Sequence, residues 1–137
     1  MLGPSTRIPT VVYRDGGTIY LVGGGDPTLV RASGGNPLPR GSASLRALAR
    51  LTTAAFTAGE RLPLVYDDSA FRGPRTAAGW PDSYVSTGVV SPVSALSADS
   101  GKVSADSRVR DTDPALAAGQ YFADRLAKSG ITVAPAV

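Results

Sequence analysis

The side chains able to do chemistry in this chain are hydroxyls, 11 carboxylates and two lysines, because histidine and cysteine are both absent. Without imidazole there is no Ser-His-Asp triad, no general base tuned near neutrality and little scope for zinc. Without thiol there is no disulfide, no thiolate nucleophile and no thiolate metal site. Lysine could still activate a serine, but no serine has lysine three positions later. Ser69 and Ser107 have Arg72 and Arg110 there. No catalytic residue, metal site or cofactor is therefore expected in this chain.

The carboxylates are the remaining candidates. Asp26 follows Gly23-Gly24-Gly25, but a phosphate loop would need Gly-Lys-Ser/Thr opening a helix, and Pro27 comes instead. The expectation is a tight turn capped by the Asp26 side chain. Asp67 and Asp68 are neighbours, so on a strand they point to opposite faces and serve turns or caps better than a shared proton. In Trp80-Pro81-Asp82-Ser83-Tyr84, an indole, a carboxylate and a phenol crowd into one loop. Burial of Trp80 as a loop anchor is the structural reading. The functional reading makes Trp80, Asp82 and Tyr84 a recognition patch, an apolar platform beside a charge able to meet a ligand ammonium.

The elements around these residues follow from periodicity. Thr10–Tyr13 and Thr18–Val22 are β-branched and aromatic runs joined by Arg14-Asp15-Gly16-Gly17, a hairpin. Ser33 to Gly41 reads as loop. Ser42 or Ser44 caps a helix to about Thr57, with Leu45, Leu48, Ala49, Thr52 and Phe56 on one face and Gly59 as its stop. Leu62–Tyr66 is a short strand, and 67–94 is irregular. A second hairpin is expected from Ala95–Asp99 and Lys102–Ala105 around Ser100-Gly101. Asp113-Pro114 starts a helix that ends at Lys128-Ser129-Gly130, and Ile131–Val133 is a last strand. The fold class is α+β: a small mixed sheet, two main helices packed on it and a long irregular loop region.

The 137 residues suit a single domain spanning 1–137, and 42% hydrophobic against 18% charged residues suits a folded one. The net charge of +3 comes from 12 arginines and two lysines without a run or helical stripe, so nucleic acid is not an expected partner. No apolar run approaches the ~20 residues of a membrane span. Met1–Ser5 lacks the basic and apolar character of a signal peptide.

Several stretches resemble the serine D-alanyl-D-alanine carboxypeptidases of the class C low-molecular-mass penicillin-binding group. They are Leu21–Leu29 (LVGGGDPTL), Val65–Pro74 (VYDDSAFRGP), Gly79–Pro81, Tyr84–Leu96, Asp113–Gln120 and Gly130–Val133. That family carries its nucleophile in Ser-x-x-Lys, followed much later by Ser-x-Asn and Lys-Thr-Gly, with a long insertion between the first two. The chain resembles that insertion. Neither Ser-x-x-Lys nor Ser-x-Asn occurs, since the lone asparagine, Asn36, has Gly34 two places before it. Lys128-Ser129-Gly130 matches the third element in letters but sits where a helix should end.

The resemblance implies a parent that is an extracytoplasmic, cell-wall serine peptidase acting on peptidoglycan stem peptides. This chain would be its inactive insertion domain, beside a transpeptidase-like catalytic domain and flanking the active cleft, with Trp80, Asp82 and Tyr84 aiding substrate recognition. The alternatives are a free-standing module binding wall peptide or protein, and a hydrolase built on Asp26, Asp67, Asp68 or Asp82.

Overall fold

The computed structural model describes residues 6–32 and 42–134. The expected loop Ser33–Gly41, Asn36 within it, and the Met1–Ser5 terminus lie outside the described residues. Four strands form one sheet in the order β1-β2-β3-β4: β1 Thr10–Asp15, β2 Thr18–Gly23, β3 Arg61–Asp67 and β4 Thr132–Ala134. β1 and β2 are the expected antiparallel hairpin, with Tyr13 opposite Tyr20 and their rings stacked 4.9 Å apart. β2–β3 and β3–β4 are parallel, so each pair needs a crossover. Helix α1 (Leu45–Ala54) lies in the first, and helix α3 (Pro114–Lys128) in the second. A single-turn helix, α2 (Ser83–Ser86), interrupts the 67–94 stretch that the sequence marks as irregular.

The helix ends follow their capping chemistry. The Ser44 hydroxyl accepts from the Ala47 amide at 3.1 Å, and an Asp113 carboxylate oxygen from the Leu116 amide at 3.0 Å, with Pro114 at the first helical position. α1 stops at Ala54, short of the expected Thr57, because the Ala55 and Phe56 amides bond to Thr52 and Thr53 carbonyls in a tightened last turn. The two helices pack on each other and cover one sheet face, burying Ile19, Leu21, Leu62 and Leu64 against Leu45, Phe122 and Leu126. On the other face, Val11 and Tyr13 are exposed, and Tyr20, Val22 and Val65 half-buried. The fold is therefore the α+β arrangement expected, with two main helices on a mixed sheet.

The second hairpin is not formed. Asp99–Gly101 is instead a 3-10 turn, with Asp99 at φ +53° and Ser100 at φ +55°, and Lys102 bridges to Arg110. The competing interaction is Arg31. Its guanidinium donates to the Lys102 carbonyl at 2.6 Å and reaches Asp111 at 3.2 Å and Asp99 at 3.5 Å, while its amide donates to Asp99 at 3.3 Å. Only 15% of the Arg31 side chain is exposed. With Asp99, Lys102 and Asp111 gathered around Arg31, the residues on either side of the turn pair with other segments, Ala95 with Gly25 and Lys102 with Arg110, instead of with each other.

Arg31→Ala leaves two partly buried carboxylates without a counter-charge, and we expect a loss of about 3 kcal/mol in urea unfolding. Arg75 also pairs with a carboxylate, that of Asp68, but its own side chain is 54% exposed. Arg75→Ala should therefore cost less than about 1 kcal/mol. Equal losses would remove Arg31 from its structural role. Tyr66 supplies a pH test. Burial first, then the Asp113 and Asp68 charges, raise its phenol above the ordinary 10.0, with Arg75 opposing. The fold favours the neutral phenol. Its contribution to stability is thus complete below pH 10.0 and lost as pH rises through the higher folded-state value. Ultraviolet titration should show one late phenol that disappears in Tyr66→Phe.

Candidate functional site

The long connection from β3 to α3, residues 68–113, carries most of the groups singled out in the sequence. Trp80 is half-buried and takes no part in the core, so it is not the buried anchor of the structural reading. Its amide donates to the Ala77 carbonyl at 3.1 Å, closing the turn before α2. Asp82 is the residue before α2; its carboxylate makes no capping bond and it is exposed. Tyr84 is 38% exposed. The three residues thus share one exposed turn and α2, with no hydrogen bond among their side chains.

This turn is fastened to a groove. The Tyr84 carbonyl accepts from the Val89 and Val90 amides at 2.9 and 3.2 Å, and the segment that follows forms one wall of a groove of about 510 Å³. Phe71, Val89 and Val93 supply apolar lining, with Asp26 and Arg110 as its charges. Six of the ten exposed large hydrophobic side chains among the described residues fall on this connection: Phe71, Tyr84, Val89, Val93, Val103 and Val109. Three of them, Phe71, Val89 and Val93, share the groove wall, and a contiguous exposed apolar surface marks a contact region more often than scattered side chains do.

The triple glycine serves packing. Gly23 lies flat against Leu96 and the Ala95 carbonyl, where a Cβ would have no room. Gly25 sits at φ +92° under the Phe71 ring, a conformation and a contact that both require glycine. Asp26 then caps its own turn, accepting from the Thr28 amide at 2.8 Å and hydroxyl at 2.7 Å. Hydrogen bonding from the Ser69 hydroxyl and then its amide, the latter at 2.8 Å, holds Asp67 below 3.8. Asp68 pairs with Arg75 at 2.8 Å and accepts from the Ser94 hydroxyl at 3.0 Å. Each of these three carboxylates thus has its own structural partner, and Asp82 stands apart on its turn. Among the described residues, no three His, Cys, Asp or Glu side chains converge as a metal site would need.

The lysines are equally committed elsewhere. Lys128 ends α3, Ser129 donates to the Arg125 carbonyl at 3.1 Å, and Gly130 takes φ +88°, as a helix end requires. Lys102 Nζ lies 3.5 Å from the Ala105 carbonyl. Among the described residues, neither forms a hydrogen bond to a serine hydroxyl. The sequence reading missed one convergence: Arg46, Arg50, Arg125 and Lys128 line a common groove between α1 and α3. The signal available was the Arg46/Arg50 pair one helical turn apart; the other two residues arrive through tertiary packing.

No helix among the described residues is long and apolar enough to cross a membrane. No solved structure matches this chain. Residues 1–109 match the model of the D-Ala-D-Ala carboxypeptidase 3 (S13) family. The chain is 32% identical to Carboxypeptidase Rv3627c of Mycobacterium tuberculosis over 96% of its own length and 29% of that relative's. It is 35% identical to Carboxypeptidase DacB of Mycolicibacterium smegmatis, over 80% of this chain and 24% of that protein. The chain thus spans less than a third of the curated relatives it matches. The quoted stretches LVGGGDPTL and VYDDSAFRGP fall within the matched residues, and their packing roles, Gly25 beneath Phe71 above all, are visible in this fold. By that match the chain belongs to the D-Ala-D-Ala carboxypeptidase 3 (S13) family.

Proposed function

We propose that this chain is the non-catalytic insertion domain of a serine D-Ala-D-Ala carboxypeptidase that works on peptidoglycan stem peptides outside the cytoplasm. Its part is to flank the active cleft and help recognise the substrate. The reading rests on a fixed, apolar-decorated connection in a sequence that holds neither Ser-x-x-Lys nor Ser-x-Asn. Trp80, Asp82 and Tyr84 occupy the exposed turn of that connection, next to the groove walled by Phe71, Val89 and Val93. An indole and a phenol offer apolar contact at low entropic cost, and the Asp82 carboxylate is free to meet an ammonium on the peptide. Serine acyl transfer needs a deprotonated hydroxyl and donors aimed at the developing oxyanion. Those groups would come from the transpeptidase-like catalytic domain of the parent, which is also where a β-lactam would acylate.

The open sheet face favours this reading over a free-standing module. Val11 and Tyr13, 43% and 47% exposed, stand beside Tyr20, Val22 and Val65 as an apolar surface suited to contact with another body of the same protein. A carboxylate hydrolase is disfavoured, because its four candidate aspartates are engaged separately or stand apart.

Two measurements test the proposal. Incubated with a fluorescent penicillin, this chain should stay unlabelled on a denaturing gel; stoichiometric labelling would overturn the non-catalytic assignment. In a full-length enzyme carrying this segment, Trp80→Ala should raise KM for a stem pentapeptide about tenfold. It should leave turnover of a short ester lacking the peptide side chain within about twofold. An unchanged KM would remove Trp80 from substrate recognition.

A further inference from the structure

Four cationic side chains from two helices converge on a groove of about 480 Å³, on the helix layer and apart from the Trp80 turn. Arg46 and Arg50 come from α1, Arg125 and Lys128 from α3; Ser44 and Ser129 add hydroxyls, and no carboxylate lines the groove. The ion pairs among the described residues use Arg14, Arg31 and Arg75 and none of these four.

Helix electrostatics explain only half of the cluster. Arg125 and Lys128 occupy the last turn of α3, where cations offset the negative end of the dipole. Arg46 is in the first turn of α1, where the dipole is positive, the turn has no acidic residue, and Arg50 follows four residues later as a like charge. Both are exposed. This placement is unfavourable for the helix by itself and becomes favourable when an anion lies between α1 and α3.

Arg125 supplies the second observation. Its guanidinium stacks over the Tyr121 ring, 5.2 Å from the centroid, and its Nε is buried with no hydrogen-bond partner among the described residues. The stacking holds the guanidinium in place at the groove wall, so its outer N–H donors lose little freedom on meeting an acceptor. Three of the four cations are arginines, whose planar forks match the oxygens of a phosphoryl group in pairs, and one singly charged group would leave most of the charge unanswered.

We propose that the groove between α1 and α3 binds a ligand carrying two or more phosphoryl groups. The site stands independently of the Trp80 turn, so its failure would leave the substrate-recognition reading untouched.

Calorimetric titration of this chain with pyrophosphate, at low and at physiological salt, tests it. We expect saturable binding of one pyrophosphate, about tenfold tighter than inorganic phosphate and weakened by salt. A short inorganic polyphosphate distinguishes sources: tighter binding than pyrophosphate points to a polymer, weaker binding to a compact diphosphate. The double variant Arg46→Gln/Arg50→Gln should lose about tenfold or more in affinity with an unchanged or raised melting temperature. Arg108→Gln, on the exposed connection, should bind as the parent does. No saturable binding at millimolar pyrophosphate, an equal loss in Arg108→Gln, or equally tight binding of the tricarboxylate tricarballylate would overturn the assignment. So would a lower melting temperature in the double variant with binding retained.

Discussion

The Arg31 guanidinium holds the molecule's longest excursion to its sheet. Residues 68–113 leave β3 and return as α3 with one helical turn of their own along the way, apart from the short 3-10 turn, so backbone ladders cannot fix their course. Arg31, two residues after the buried Leu29 in the connection from β2 to α1, gathers Asp99, the Lys102 carbonyl and Asp111 around one planar cation. Ser91 adds a hydroxyl donated toward the Gly101 and Asp111 carbonyls at 3.1 and 2.7 Å. Leu96 and Ala98 enter the core beside Leu29, so apolar burial and the ionic cluster act at the same place. The groove walls and the Trp80 turn inherit their positions from that anchorage, because Gly88 and Val103 bond directly to the strand-like segment at Val109–Arg110.

Such anchorage has a backbone cost. Asp99 and Ser100 both take left-handed angles, a conformation that costs of order 1 kcal/mol or more for a residue with a Cβ. The compensation is visible: the Asp99 amide reaches the Leu29 carbonyl at 2.9 Å, and its carboxylate reaches Arg31. Ser100-Gly101 has the turn chemistry from which a hairpin was expected, and a turn does form there. The flanking residues, however, pair elsewhere. The Ala95 carbonyl accepts from Gly25, and Lys102 faces Arg110. Local propensity placed the turn; an arginine almost seventy residues upstream decided what the turn joins.

The same division separates what the sequence disclosed from what it withheld. Interactions closed within a few residues were legible: the Arg14–Gly17 turn, the Ser44 and Asp113 caps, the Asp26 turn, and Lys128-Ser129-Gly130 as a helix end. Glycine offered a partial signal. Three in a row announced an unusual backbone at 23–25, but only packing shows that Leu96 and Phe71 are what lie against them. Of the two readings of Trp80, the buried anchor fails, because the core is already filled by Phe122 and aliphatic side chains. The meeting of all four cations in one groove had no sequence signal for a related reason. Charge spacing along the chain says nothing about two helices brought side by side, and Arg46, Arg50, Arg125 and Lys128 meet only through the α1–α3 contact.

Under the proposed reading, the role of this fold is mechanical. A recognition surface serves catalysis only if it holds the substrate's remote parts in fixed relation to the reacting bond, since binding energy realised away from the chemistry is then available to orient it. That demands rigidity of a loop, and loops are rigid only where their polar backbone groups find partners. Here the partners between segments are Arg31, Ser91 and the Ser94–Asp68 pair, while Asp26 and Asp67 each close their own turn. A connection held by such cross-segment bonds has the fixed course that the proposed recognition role requires of it.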